Sequence, residues 1–433
     1  MLPVLLISII TIIIMVASII FFPRIKIGKL SIQTYWLITL IGAILLIIFN
    51  LVPFKELTSE LFKDTNVNPI KILTLFISMT ILSVFLDELG FFKYLASIAI
   101  KKAKCKQISI FLSLYALTSV LTVFTSNDII ILTLTPFICY FCKNAKINPI
   151  PYLVSEFVSA NTWSMMLIIG NPTNIFLATQ ANIDFFTYFK VMALPTIACG
   201  IISFLIIMII FHKDLKKEIV PIECSEQLKD KNLLIIGLIH LISCTILLSI
   251  SSYINLEMWI ITLCFAISLL VISLIYLAIR KKSKIVIVNT LKRAPWTLIP
   301  FIISMFVIVL GLSIKGLPEI ISENVCLNYP IMGYGLLSFI CSNIMNNIPM
   351  CVFFSKIISC LASSPSIMKI TFSVIAGSNI GAFLTPIGAL AGIMWMSILK
   401  KNEVEFSFYT FMKYGILISI PTIVISILVI AFI

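Results

Sequence analysis

Again and again this chain runs for about twenty residues with scarcely a polar side chain, the length an α-helix needs to cross a bilayer. Such runs lie at 3–22, 33–52, 71–91, 150–185, 191–211, 233–252, 259–279, 297–314, 366–399 and 409–432, with looser apolar segments at 108–142 and 331–358. Hydrophobic residues make up 60% of the chain and charged ones 11%, which excludes an ordinary soluble domain. The sequence predicts an all-α polytopic membrane protein with about 10 spans. No basic residue precedes the first run, and Arg24, Lys26 and Lys29 follow it, the reverse of a cleaved signal peptide.

Charge orients these spans. The 31 Lys+Arg against 18 Asp+Glu give a net charge of +13, which in a membrane protein collects in cytoplasmic loops and calls for no nucleic acid. Basic loops at 24–29, 101–106, 213–231, 280–284, 292–293 and 400–401 are expected to share the cytoplasmic face. The loops at 53–69, 253–257 and 315–330 are poor in basic residues and are expected outside, with both termini, in a plasma membrane. For the pattern to hold, 108–142 and 331–358 must each enter and leave on one side, so each reads as a re-entrant hairpin, tolerated where protein or a watery cavity surrounds it.

The chain also repeats. Ser78-Met79 and Gly90 match Ser304-Met305 and Gly316 at an offset of 226; Asn127-Asp128 matches Asn346-Asn347 at 219; Asn161 and Gly170 match Asn379 and Gly388 at 218. Two repeats of inverted topology follow, at 71–211 and 291–433, with N-terminal spans at 1–70, a polar cytoplasmic linker at 212–232 and connecting spans at 233–290. Transporters built this way bind solute and ion near the midplane, where the repeats meet.

Two kinds of interruption could carry chemistry. Thr125, Ser126, Asn127 and Asp128 fall at the turn of the first hairpin, and Ser342, Asn343, Asn346 and Asn347 at that of the second. Helix N-termini there offer free N–H groups to an anion, and unwound carbonyls with Asn, Ser and Thr oxygens suit Na+; the same residues could simply cap buried helices. The long spans 150–185 and 366–399 are broken at Asn161, Gly170, Asn171, Pro172, Thr173 and Asn174, and at Asn379, Thr385, Pro386 and Gly388. The candidate solute ligands are Ser126, Asn127, Asn346, Asn347, Asn161 and Asn379. The candidate ion-coupling residues are Asp128, Thr125, Gly170–Asn174, Thr385, Pro386 and Gly388, with a proton or Na+ as coupling ion and no cofactor.

Other acids in apolar runs are Asp87, Glu88 and Glu156. Asp87-Glu88 suggests an interfacial salt bridge, with Lys93 in reach, and Glu156 lies close enough to a span end to snorkel. Lys315 reads as an interfacial anchor. Cys139 and Cys142 form a lone CxxC inside an apolar helix, and eleven cysteines without framework spacing read as buried hydrophobes. Two histidines, one in a loop and one in a span, give little support to metal ligation or a Ser-His triad, so an enzyme is not expected. No Walker loop is present in the sequence, so ATP hydrolysis would have to come from a partner.

The segments FLDELGFFKYLA (85–96), FTSNDIIILTLTP (124–136), LKRAPWTLIPFIISMFVIVLGLSIKGL (291–317), SNIMNNIPM (342–350) and LTPIGALAGIMW (384–395) resemble, in order, the ion-transporter superfamily and its arsenite/antimonite efflux permease branch. The resemblance implies ion-coupled efflux of a small anion or oxyanion by alternating access, and makes a homodimer plausible. It departs at Asn161 and Asn379, where the arsenite branch carries acids. GNPTN (170–174) is instead similar to a turn of the sodium-coupled di- and tricarboxylate carriers and the sodium/proton antiporters, and Ser126-Asn127-Asp128 resembles the carboxylate carriers' Ser-Asn-Thr tip with Asp for Thr. Antiport or carboxylate uptake therefore stands as the alternative.

Overall fold

The computed structural model describes the whole chain except residues 23, 28–29, 64–67, 103–105, 218–227 and 326–327. Parts of the expected basic loops 24–29 and 101–106 and of the 212–232 linker lie outside the described residues. What is described is almost wholly helical, with one departure from an all-α chain: a two-stranded antiparallel ribbon, β1 (Arg24–Ile27) and β2 (Leu30–Gln33). That ribbon links α1 (Leu2–Phe21) to α2 (Thr34–Ile48).

Among the described residues, ten α-helices then recur as ten. After α1 and α2 come α3 (Phe54–Leu61), α4 (Pro69–Glu88), α5 (Phe91–Lys102), α6 (Gln107–Phe124), α7 (Asn127–Ala145), α8 (Ile150–Trp163), α9 (Pro172–Gln180) and α10 (Phe185–Leu215). The second series is α11 (Lys231–Ser249), α12 (Met258–Ile279), α13 (Ile285–Arg293), α14 (Leu298–Ile314), α15 (Leu317–Asn324), α16 (Pro330–Met345), α17 (Asn347–Cys360), α18 (Ile367–Gly381), α19 (Leu390–Lys401) and α20 (Phe408–Phe432). The packing repeats with the order. Helix α2 packs on α14 and α12 on α4; α6 packs on α8 and α16 on α18; α7 packs on α19 and α17 on α9; α10 and α20 pack on each other. Exchanging the two series turns each of these contacts into its partner.

Local chemistry explains the joints. Gly90 and Gly316, 226 apart, both take positive φ (83° and 74°) and turn a long central helix into a short one, α4 into α5 and α14 into α15. Among the described residues they are the glycines that do so. Pro69, Pro172, Pro318 and Pro330 stand at helix N-termini, where the missing N–H costs nothing. Packing on the α16–α18 seam is closest at glycines: a Cβ on Gly377 would lie 2.0 Å from Ser338 Oγ, and one on Gly381 2.2 Å from Ser342 Oγ. Small residues at such spacing let helix backbones approach where apolar burial alone offers no driving force between helices.

Nine helices among the described residues are long and apolar enough to span a membrane. That count includes both arms of the first hairpin, α6 and α7, and omits the 15-residue α2 and the broken pairs α8–α9 and α18–α19. Within the α4 span window 83% of the residues are buried, against 28% for α1 and 33% for α12, so α4 is central while α1 and α12 present broad apolar faces outward. The hairpin arms are unequal: α6 and α7 have 18 and 19 residues, α16 and α17 have 16 and 14.

Ion pairs sort the loops into two groups. Lys71–Glu257 (2.6 Å) and Lys356–Glu60 (3.7 Å) join elements next to the loops poor in basic residues. Arg293 with Asp87 and Glu88, Lys282–Asp230 and Lys143–Glu403 join elements next to the basic ones. None of these pairs crosses between the groups. The acid pair Asp87-Glu88 is bridged as expected, but by Arg293 and not by Lys93: the guanidinium reaches Asp87 Oδ2 at 2.6 Å and Glu88 Oε1 at 2.5 Å, and Asn289 donates to Glu88 Oε2 at 3.1 Å. The partner comes from α13, in the other series, which no sequence-local argument could supply.

Candidate functional site

Each hairpin turn is a helix N-terminus aimed into the protein. At the first, Thr125 closes α6 by donating its hydroxyl to Leu121 O (2.7 Å), and Ser126 occupies the N-cap of α7 without capping it. Ser126 Oγ and Asn127 Oδ1 are buried and have no hydrogen-bond partner among the described residues. Asn127 Nδ2 donates to Asn161 Oδ1 at 3.0 Å, joining the turn to α8.

From Asn161 a continuous polar path leads to the first break. Ser164 Oγ donates to Asn161 O (2.9 Å) and to Asn379 Oδ1 (3.1 Å). Asn171 Nδ2 also donates to Asn379 Oδ1 (2.9 Å), while Asn379 Nδ2 donates to Asn174 Oδ1 (2.7 Å) and to Ile375 O (2.8 Å). Asn174 Nδ2 in turn satisfies Ser164 O and Leu167 O, carbonyls freed where α8 unwinds. Asn171 caps α9 by accepting from Thr173 N, Pro172 fills its first position, and Thr173 Oγ1 is buried without a partner among the described residues. A side chain from the second series, Asn379, thus ties together a broken helix of the first.

The second half is wired differently. Asn343, at the end of α16, accepts from Thr385 N (3.1 Å) and Thr385 Oγ1 (2.7 Å) and donates to Gly381 O (3.1 Å), so it spans the break between α18 and α19. Asn346 Nδ2 donates to Ile387 O (2.9 Å), and Asn347 N donates to Gly388 O (3.1 Å). Asn346 pays for this with φ +76° and ψ 151°, a region that is nearly exclusive to glycine and persists only where surroundings over-determine it. Helices α7 and α17 start 220 residues apart, so their cap residues Ser126 and Asn346 correspond, and Asp128 corresponds to Ile348.

Gly170 and Gly388 play one part twice. A Cβ on Gly170 would sit 2.2 Å from Ser164 O, and one on Gly388 2.4 Å from Gly381 O. Each break folds back so tightly on the carbonyls ending its helix that only glycine fits. Pro386 lies in the second break, its carbonyl oxygen 2.6 Å from where a Cβ on Gly392 would be.

The structure therefore brings Ser126, Asn127, Asn161, Asn171, Asn174 and Asn379 into one polar region and Asn346, Asn347, Thr385 and Gly388 into its counterpart. Asp128 stands apart. About 100° further round α7 than Asn127, it is half-buried, forms no hydrogen bond or ion pair among the described residues, and its charge reaches Tyr35 of α2, whose hydroxyl bonds Thr297 (3.0 Å). Ser164 joins this network without a signal in the sequence, whereas Asn343, a turn residue of the second hairpin, is marked by its place one helical turn before Asn346. Glu156 does not snorkel: it is 1% exposed. A cavity of about 410 Å³ opens between α4, α9 and the α11–α12 turn, with Lys71 and Glu257 at its rim, and extends to Ile175, the neighbour of Asn174.

Matched helix series, paired turns facing inward and paired glycine-closed breaks make this a multi-pass secondary transporter. The chain belongs to the citrate transporter family, whose model matches residues 30–372. It is 25% identical over 369 residues to the arsenical pump membrane protein of Escherichia coli K12, covering 82% of this chain and 85% of that one. To the putative arsenical pump membrane protein of Bacillus subtilis it is 24% identical, covering 78% and 82%. A putative transporter arsB of Dictyostelium discoideum is 31% identical over 179 residues, 41% of this chain and 30% of the relative. The YdaH transporter of Alcanivorax borkumensis shares the fold, with a TM-score of 0.59, 11% identity and coverage of 99% and 98%.

Proposed function

We propose that this chain exports an arsenite- or antimonite-type oxyanion across the plasma membrane, coupled to a proton or Na+, by alternating access around the two polar regions just described. The observation that carries this reading is the likeness to bacterial arsenical pump membrane proteins over about four fifths of the chain. Ser126, Asn127, Asn346 and Asn347 bind the solute from the hairpin tips, and Asn161 and Asn379 hold its other side. The Ser126 hydroxyl and the Asn127 amide oxygen, both buried without a hydrogen-bond partner among the described residues, are the groups open to an oxyacid's hydroxyls. Asp128 carries the coupling ion, with Thr125, Gly170–Asn174, Thr385, Pro386 and Gly388 completing the cation path. The 410 Å³ cavity is the approach from the outer face, and both termini lie on that face.

Sodium-coupled carboxylate uptake is the second reading, favoured by the family description. Against it stands Asp128, which has no cationic partner among the described residues and would repel a dicarboxylate. The test is transport by the purified chain in proteoliposomes under an imposed proton or Na+ gradient, comparing arsenite, antimonite, succinate and no solute, with Asp128→Asn in parallel. Arsenite-stimulated flux lost in the variant supports the first reading. Succinate flux moves the chain to the second, cation exchange without solute makes it an antiporter, and undiminished flux in Asp128→Asn removes the coupling role of that residue.

A further inference from the structure

One acid inside the protein has no part in the site above. Glu156 lies on α8, five residues before Asn161, and is fully buried. Thr135 Oγ1 of α7 donates to both of its oxygens (3.1 and 3.2 Å), and the indole Nε1 of Trp395 on α19 donates to Oε2 at 3.3 Å. No cation faces it among the described residues; Cys139 of α7 is the titratable group that feels its charge. Phe157, Phe406 and Phe411 pack around the Trp395 ring, and Glu156 and Trp395 are each 1% exposed.

The repeat shows that folding does not call for an acid here. At the offset of 218 that matches α8–α9 with α18–α19, Glu156 corresponds to Val374 and Trp395 to Leu177, and both of these are buried at 0%. The same packing position is filled by plain hydrocarbon in one half and by a hydrogen-bonded carboxyl in the other. A carboxyl group in such surroundings is costly and marks function by default. Its location says which function. Trp395 lies five residues into α19, the helix that follows the second break, whereas Glu156 lies in the helix that leads to the first. The Glu156–Trp395 bond is thus a tie between the two broken spans across the halves.

We propose that Glu156 is a second ion-coupling residue, a proton-exchange group whose loading and unloading fasten and release α19 against α8 during the transport cycle. The carboxyl takes up one proton from water admitted when α8 and α19 part and returns it on the other side; Thr135 and Trp395 hold the oxygen that bears none. Coupling to solute then works through the breaks, since moving α19 moves Thr385–Gly388 against Asn343, Asn346 and Asn347. This rests on the chain being a transporter, but not on arsenite being the solute.

The test uses the full chain and two readouts. In detergent, Trp395 emission is titrated with pH in the wild type, Glu156→Gln and Trp395→Phe; the expected result is a pH-dependent component present in the wild type and missing from both variants. In proteoliposomes, Glu156→Gln is expected to lose tenfold or more of pH-gradient-driven arsenite accumulation, about 1.4 kcal/mol of coupling, while arsenite counterflow without a gradient persists. Glu156→Asp keeps an exchangeable proton and restores part of the driven flux, which separates loss of the proton from loss of packing. A Glu156→Gln protein that drives arsenite as the wild type does, or titrates as the wild type does, overturns the proposal. If the wild type moves no arsenite, the solute reading fails instead, and the emission titration still decides this one.

Discussion

Asn161 and Asn379 are equivalent in sequence but not in what depends on them, and truncating each in turn exposes the difference. In Asn379→Ala, Asn171 Nδ2 loses its acceptor and Asn174 Oδ1 its donor, and Ser164 Oγ loses one of two acceptors. All three residues are essentially inaccessible. A buried polar group stripped of its partner costs about 1–3 kcal/mol, and interhelical hydrogen bonds inside membranes average nearer ~0.6, so two orphans and a weakened hydroxyl amount to about 2–4 kcal/mol. In Asn161→Ala only Asn127 Nδ2 is orphaned, at about 1 kcal/mol, because Asn127 Oδ1 has no partner to begin with. Each asparagine also donates to the carbonyl four residues back, at 2.8 Å in both cases, so that loss cancels. Equilibrium unfolding in mixed micelles with a rising fraction of denaturing detergent, followed by tryptophan fluorescence, measures both variants on one scale. The reasoning is refuted if Asn161→Ala is as destabilising as Asn379→Ala or more so.

Glycine substitutions separate space from backbone strain. Gly170→Ala and Gly388→Ala each drive a methyl into a backbone carbonyl and are expected to abolish folded expression, whereas Gly316→Ala meets nothing within 4 Å and bears only the cost of positive φ, about 1 kcal/mol; detergent-soluble yield by size exclusion ranks them. Arg293→Ala leaves Asp87 and Glu88 without their guanidinium and should cost about 3 kcal/mol, while Lys93→Ala should change little, as the same unfolding assay would report. Outside the spans, Asp230 is held below the ordinary carboxylate range: burial opposes this, but the Lys282 ammonium and the N–H groups of Leu233 and Asn232 outweigh it. A depressed folded-state value adds stability that is complete above the unfolded value of about 4 and is lost as pH falls through the folded one. Asp230→Asn should therefore lower the melting temperature at pH 7, and its gap from the wild type should close as pH falls below about 4.

The paired positions were legible from the sequence because they depend on local chemistry. An unbroken apolar run must become a helix in hydrocarbon, and Asn, Gly, Pro and Thr interrupt it wherever they fall. Gly90 and Gly316, or Gly170 and Gly388, announce themselves at a fixed offset because each solves a backbone problem within its own segment. Which side chains meet was another matter. Asn379 reaches the break at Ser164–Asn174 from 205 to 215 residues away, Arg293 displaces Lys93 as the partner of Asp87-Glu88, and Trp395 closes on Glu156 across the halves. A polar group buried among helices must be paired, but sequence does not say by whom, since donors and acceptors of one kind are interchangeable until packing fixes distance and direction. Spans, repeat and breaks thus followed from hydropathy and backbone chemistry alone. The unequal wiring of the two halves was decided only when the helices were packed together.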